Sequence, residues 1–269
     1  MAGLFQVLWG EKAGVFKPAE TLCGTDGEPL IIPAEGREQI TKNICTRPIA
    51  VDWNGDSHLD LVVGNFEGSF HLFTGEGRGK FHPKSEPIKA GDQPLNLKGH
   101  HSDPFVVDWD GDGDLDLLSG STDGGVQWAE NVGHKGSTPQ LKSFTWLIPP
   151  VGQVTYGGSL AEKELKGPTT ATRIWIDDVN GDGKLDILLG DNIMLSSRAE
   201  GLTQEQYETQ KARWEEENTR LLAKLNGLPA DAAETDRNKA NQAYTQHYQK
   251  RANFVQEART GFVWLYVQK

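Results

Sequence analysis

The stretch "VDWDGDGDLDLLSG", Val107 to Gly120, gathers five aspartates within nine residues and then turns abruptly apolar. Two carboxylates about 4 Å apart repel by roughly 1 kcal/mol in water and roughly 4 kcal/mol near a protein surface, so packing them together calls for a counter-charge. Asp108, Asp110, Asp112 and Asp116 stand at positions 1, 3, 5 and 9 of a short loop. Gly111 and Gly113 let the backbone turn tightly, and Asp114 at position 7 offers its carbonyl. This alternation of oxygens suits a hard cation such as Ca²⁺ and matches the first part of an EF-hand loop. An EF-hand would add a bidentate Glu at position 12, where Ser119 stands, and flanking helices. The flanks "FVV" and "LDLL" instead read as strands. The sequence therefore predicts a calcium loop between two β-strands.

The pattern recurs. "VDWNGDSHLDLVVGN" sets Asp52, Asn54, Asp56 and Asp60 at the same offsets, with the His58 carbonyl at position 7. "IDDVNGDGKLDILLGDN" does so with Asp178, Asn180, Asp182 and Asp186, and with the Lys184 carbonyl. About three Ca²⁺ sites are expected, 56 and 70 residues apart, and such regular recurrence predicts a repeat architecture. In the first copy Ser57 replaces the glycine of position 6, which predicts a strained turn and a weaker site.

A second string also repeats. "GLFQVLWGEKAGVFKP" (Gly3 to Pro18) and "GSFHLFTGEGRGKFHP" (Gly68 to Pro83) share Gly, Phe, Gly-Glu, Gly, Phe and Pro, and read as strand, Gly-rich turn, strand. "GGVQWAENVG" from Gly124 and "GFVWLYVQK" from Gly261 supply the corresponding strand in later copies. One unit is then strand A, calcium loop, strand B, turn, strand C, turn, strand D: a four-stranded antiparallel meander. With these motifs the chain resembles the FG-GAP or VCBS repeats of integrin-α-type propellers and of many secreted bacterial proteins. The resemblance implies an all-β fold of β-propeller blades across residues 1–191, with a final propeller strand over 261–269. It implies calcium in the loops and leaves activity open among adhesion, lectin-like binding and polysaccharide lyase chemistry.

The chain has 269 residues, 31 of them Gly and eight Trp, and a formal net charge of −11. Ten of its carboxylates are loop ligands, so three bound Ca²⁺ would roughly halve that excess. No basic stripe suggests nucleic acid, and no apolar run is long enough to span a membrane. The opening "MAGLFQVLW" lacks the features of a secretory signal, yet calcium loops of modest affinity suit an extracellular or periplasmic setting, which is the expected location. Cys23 and Cys45 leave a disulfide open. The chain reads as strands C and D of one blade, two full blades and part of another, which is few for a closed ring. Further blades beyond this sequence are expected to complete it, with closure by a second chain as the alternative.

Residues 192–260 have a different character. "TQEQ" at Thr203 is a capping-box start, and Tyr207, Trp214 and Leu221 follow at seven-residue spacing up to Asn226 and Gly227. A second helix is expected to carry Tyr244, Tyr248, Val255 and Ala258 on one side. This predicts an α-helical hairpin inserted in a B–C turn, with its aromatic stripe serving packing rather than recognition. Five residues before each first loop ligand stand Arg47, Asp103 and Arg173, with His101 close by. They are candidate ligand-binding residues for an acidic sugar or carboxylate, or else partners of one another. No nucleophile elbow, phosphate loop or paired-cysteine metal site occurs, so catalysis has no positive signal. The expected function is a calcium-stabilised binding or scaffolding module for a glycan or protein ligand. The alternatives are a lyase-type enzyme on acidic glycans and an assembly subunit using the helical hairpin.

Overall fold

The computed structural model describes residues 5–34, 36–154, 158–229 and 232–269. It is mostly β-sheet with a few helices, and its chain divides into two compact units. The first takes residues 1–156, 166–192 and 261–269; the second takes 157–165 and 193–260.

The first unit opens with β1 (Gln6–Val7) paired antiparallel with β2 (Glu20–Thr21). The sequence expectation had the return strand end by Pro18. Gly10 and Phe16 form only an isolated bridge there, and the paired return lies beyond the proline, whose ring removes a ladder donor. Gly3 and Leu4 of that expected strand lie outside the described residues. After helix α1 (Gly36–Lys42) comes a meander of β3 (Arg47–Val51), β4 (Asp60–Gly64) and β5 (Phe70–Phe73). A small hairpin of β6 (Gly75–Gly77) and β7 (Lys80–Phe81) follows. The fourth strand of the sheet is β8 (Glu86–Pro87), not the Phe81–Pro83 stretch that the repeated string suggested. A minor pair, β9 (Lys89–Ala90) and β10 (Gln93–Pro94), leads on.

The second four-stranded sheet is β11 (Asp103–Val107), β12 (Asp116–Gly120), β13 (Val126–Ala129) and β14 (Thr145–Ile148), again in sequential antiparallel order. In the second unit β15 (Ser159–Leu160) will pair parallel to a later strand. The third repeat uses β16 (Thr170–Asp177) and a long β17 (Asp186–Arg198). Residues 187–190 of β17 pair with the final strand of the chain, Val263–Tyr266. Among the described residues these sheets are separate, and none closes into a barrel.

Alternation along the central strands explains how the sheets stack. Val62 points into one apolar cluster with Leu117, while its neighbours Leu61 and Val63 point into another with Phe5, Leu30 and Phe73. Leu117 and Leu118 likewise face opposite ways, Leu118 packing with Ile174, Ile187 and Leu189. These two central strands, β4 and β12, are thus covered on both faces, which is why "DLVVG" and "DLLSG" are buried throughout rather than alternating.

In the second unit α2 (Gln204–Asn226) begins at the predicted capping box. Thr203 Oγ1 accepts from Gln206 N at 3.2 Å, and Gln206 Oε1 accepts from Thr203 N at 2.8 Å. α3 (Glu234–Gln249) returns, and Trp214 stacks on His247 with ring centroids 5.2 Å apart. Val255 and Ala258, expected on the second helix, belong instead to β18 (Val255–Thr260), which pairs with Ile193–Arg198 of β17. An exposed strand edge demands backbone partners, and the pairing overrides the helical reading. The last strand, Val263–Tyr266, is β19. The insertion leaves its own base closed: Asp191 N donates to Phe262 O at 3.0 Å, and Phe262 N donates to Asp191 Oδ1 at 2.7 Å. Cys23 and Cys45 are both free thiols.

The glycine that ends β4 and the one that ends β12 have a steric cause. A Cβ at Gly64 would collide with the Ser102 carbonyl, and one at Gly120 with the Thr172 carbonyl, because the next sheet's inner strand runs against them. The third counterpart, Gly190, has nothing nearer to such a Cβ than Arg173 O at 3.9 Å. Gly64→Ala and Gly120→Ala are therefore expected to cost about 1–3 kcal/mol each through overpacking, with Gly190→Ala within about 0.5 kcal/mol of wild type. Urea unfolding midpoints check this; equal effects at all three positions would refute the packing account.

Candidate functional site

The three acidic loops connect β3 to β4, β11 to β12 and β16 to β17, and they share one hydrogen-bond scheme. The position-1 carboxylate takes the backbone N–H groups of positions 4 and 6, and Asp178 also takes that of position 5 at 3.0 Å. Asp52 accepts from Gly55 and Ser57, both at 2.9 Å, and Asp108 from Gly111 and Gly113 at 2.9 and 3.0 Å. Asp178 accepts from Gly181 and Gly183 at 2.7 and 2.9 Å. The position-3 side chain accepts from the N–H of position 5: Asn54 from Asp56 at 2.9 Å, Asp110 from Asp112 at 3.3 Å, Asn180 from Asp182 at 2.8 Å. Position 5 accepts in turn from position 7, where His58, Asp114 and Lys184 are the donors. The backbone is thereby wound so that its side-chain oxygens converge.

In the second loop one oxygen each from Asp108, Asp110 and Asp112 lies within 4.8 Å of the other two. Two Ca²⁺–oxygen bonds of about 2.4 Å span about that distance, so the donor set fits an oxygen-liganded cation. Chemistry distinguishes the copies. In the first and third loops the position-3 asparagine donates its amide to the position-5 carboxylate, Asn54 to Asp56 at 3.0 Å and Asn180 to Asp182 at 3.1 Å. Asp110 has no such donor to offer, so the second loop carries the least compensated charge. In the first loop His58 also lies 3.6 Å from Asp56, and Ser57 is held at a φ of 69°, the left-handed conformation its glycine counterparts Gly113 and Gly183 adopt freely.

Position 9 is different in kind. Asp60, Asp116 and Asp186 are fully or almost fully buried. Asp60 accepts from Trp53 N at 3.0 Å and Gly75 N at 2.6 Å; Asp116 accepts from Trp109 N at 3.1 Å and Asn131 N at 2.7 Å. Asp186 accepts from Gln268 N at 3.0 Å, and its Oδ2 has no hydrogen-bond partner among the described residues. Burial pushes the Asp116 carboxyl up to about 6, against the pull of its backbone donors, and raises Asp60 too. Asp114, expected to offer only a carbonyl, also buries its carboxylate, with Oδ1 unpartnered among the described residues; burial and then Asp112, Asp110 and Asp108 raise its pKa. Nothing in the spacing signals that burial.

The predicted ligand group does come together. Asp103 Oδ1 lies 3.6 Å from Arg47 Nε and 3.7 Å from Arg173 Nε, so the two guanidinium groups share one carboxylate. Burial, opposed by both arginines, raises Asp103, while burial and then Arg173 lower Arg47. His100 and His101 sit in the loop before β11, and His101 has a φ of 59°. His101 Nδ1 lies 2.5 Å from Thr122 Oγ1, and burial, then the positive charge of Arg47 and Arg173, holds its pKa down. A separate cleft of about 830 Å³ opens between β8 and the segment 132–141. Trp53, Leu72, Ile88 and Leu141 line it, with Glu86 and Lys89 among its polar groups. Its walls come from three distant stretches, so no local motif announces it.

A family model described as FG-GAP-like repeat matches residues 52–119 and 108–189, each match running from one acidic loop into the next central strand. The chain belongs to the FG-GAP-like repeat family. No curated protein and no solved structure matches it. FG-GAP-like repeats mark a binding or scaffolding module in general terms. Among the described residues no helix is long and apolar enough to cross a membrane.

Relief of the left-handed strain at Ser57 predicts that Ser57→Gly stabilises the protein by about 0.5–1 kcal/mol. Gly183→Ala, at a φ of 85° with open space around it, should cost about 1 kcal/mol for the same reason. Thermal melts of the two variants beside wild type test the pair; a loss on Ser57→Gly would contradict it.

Proposed function

We propose that this chain is a calcium-stabilised set of β-propeller blades that acts, outside the cell or in the periplasm, as a binding or scaffolding module for a glycan or protein ligand. The observation that carries the calcium reading is the threefold hydrogen-bond scheme, which draws the Asp108, Asp110 and Asp112 oxygens to within 4.8 Å of one another. Asp52, Asn54 and Asp56, and Asp178, Asn180 and Asp182, would hold ions in the other loops. The cation's contribution is charge neutralisation, which lets the clustered carboxylates stay together. Sequential four-stranded meanders stacked face to face support the blade reading.

Ligand binding rests on two features. The cleft lined by Trp53, Leu72 and Leu141 combines apolar walls with a few polar groups, as binding clefts do. The Arg47–Asp103–Arg173 cluster carries one net positive charge, enough to favour an acidic group but already internally paired. His101 beside this cluster is engaged by Thr122, and the two arginines are held by Asp103, an arrangement that supports binding.

Chelation with EDTA should lower the melting temperature by on the order of 10 °C, as expected when ligands worth a few kcal/mol are removed. An unchanged melt would sink the metal assignment. Calorimetric titration should give a tightest site that Asp112→Ala abolishes, with Asp56→Ala losing less of the calcium-dependent shift. Incubation with acidic and neutral polysaccharides then separates the activities: retention without new chain ends supports the module, whereas new unsaturated or reducing ends make the protein an enzyme.

A further inference from the structure

Three cross-strand rows occupy equivalent positions in the three repeats. They are Ile49–Val62–Leu72, Phe105–Leu118–Trp128 and Trp175–Leu188–Leu265, each running from inner strand to central strand to third strand. The first row packs against Val106 and Leu117 of the second sheet, and the second against Ile174, Ile187 and Leu189 of the third. Val62 and Leu118, at the centres of these rows, are wholly buried. The third row has the same apolar character with far less cover: Trp175, which meets Phe105 edge-on, is still 59 % exposed, Leu188 is half-buried, Leu265 is 50 % exposed, and Val263 beside them is 74 % exposed.

The opposite end of the stack shows the complementary condition. The back of the first sheet, Leu61, Val63 and Phe73, is covered by Phe5, Leu30 and Ile32 of the opening segment, which therefore holds the place of a preceding sheet. That segment in turn exposes Leu8, Val15 and Phe16, the last at 61 %. Within the chain, every forward face that is covered is covered by the back of the next element. A second copy repeats that relation without any new kind of contact.

We infer that the Trp175–Leu188–Leu265 face is an interaction surface for a second copy of this chain, whose Leu8, Val15 and Phe16 end docks on it head to tail. Such a contact is heterologous, closing into a ring if the rotation permits and extending into a filament otherwise. Contiguous exposed apolar side chains on a sheet face mark association sites, and the inference stands whether or not the loops hold calcium.

Sedimentation velocity over a wide concentration range, in calcium-containing buffer, tests it. Wild type should form dimers or larger species. Leu265→Glu and Phe16→Glu, both at exposed positions, should each be monomeric, with melting temperatures showing that they remain folded. Mixed one to one, they should form a heterodimer, because each variant keeps the surface that the other lacks. A wild type monomeric at every concentration overturns the proposal. So does a Phe16→Glu variant that associates as wild type does, since that would mean face-to-face rather than head-to-tail contact. An equimolar mixture that stays monomeric overturns it as well.

Discussion

A buried carboxylate at the ninth position of each acidic loop is the fastening on which the three repeat sheets depend. Asp60 and Asp116 each reach one way to the second residue of their own loop and the other way to the residue two past the third strand. Asp186 makes the same outward bond to Gln268. One side chain thus ties the inner, central and third strands at the loop end of the sheet. A carboxylate is costly to bury unless hydrogen-bonded, and each bond from a backbone N–H to a charged oxygen returns about 1.5–3 kcal/mol. The acidic loop is therefore part of the core as well as an ion cradle.

This constraint divides labour among the aspartates. Positions 1, 3 and 5 are exposed or half-buried and fold the loop with their own backbone, leaving oxygens turned together. Position 9 sits inside. A cation would relieve the repulsion among the outer group, while the inner one holds the strands in register. The stability of the sheets and the charge state of the loops are then coupled through fewer than ten residues of chain, which suits a module whose stiffness depends on its ionic surroundings.

The stack itself obeys a simple rule, each sheet offering one apolar face forward and one backward. Close approach at Gly64 and Gly120 lets inner strands nest without side chains between them, while the outer strands diverge enough to leave the cleft beside β8. The insertion between Asp191 and Phe262 respects this rule, since its base is closed by the same kind of side-chain clasp that Asn65 makes to Gly68 and Ser69 in the first repeat. A helical pair can be added there because the turn that carries it needs only two residues to stay in place.

Much was legible in the sequence because it was written locally. The ligand spacing, the left-handed positions 4 and 6, the strained Ser57 and the capping box at Thr203 all depend on residues within a few positions of one another. The grouping of Arg47, Asp103 and Arg173 could also be read, because repeats put equivalent residues at equivalent places. Other features came only from tertiary structure. β18 is a strand and not a helix because the far half of β17 offers an unpaired edge, which no local pattern states. The burial of Asp114 depends on neighbouring chain segments, as does the cleft walled by Trp53, Leu72 and Leu141. The exposure of Trp175 and Leu265 is the clearest case. Their sequence context matches that of half-buried counterparts packed against a neighbouring sheet, and only the stacking of whole sheets decides which apolar row is left facing solvent.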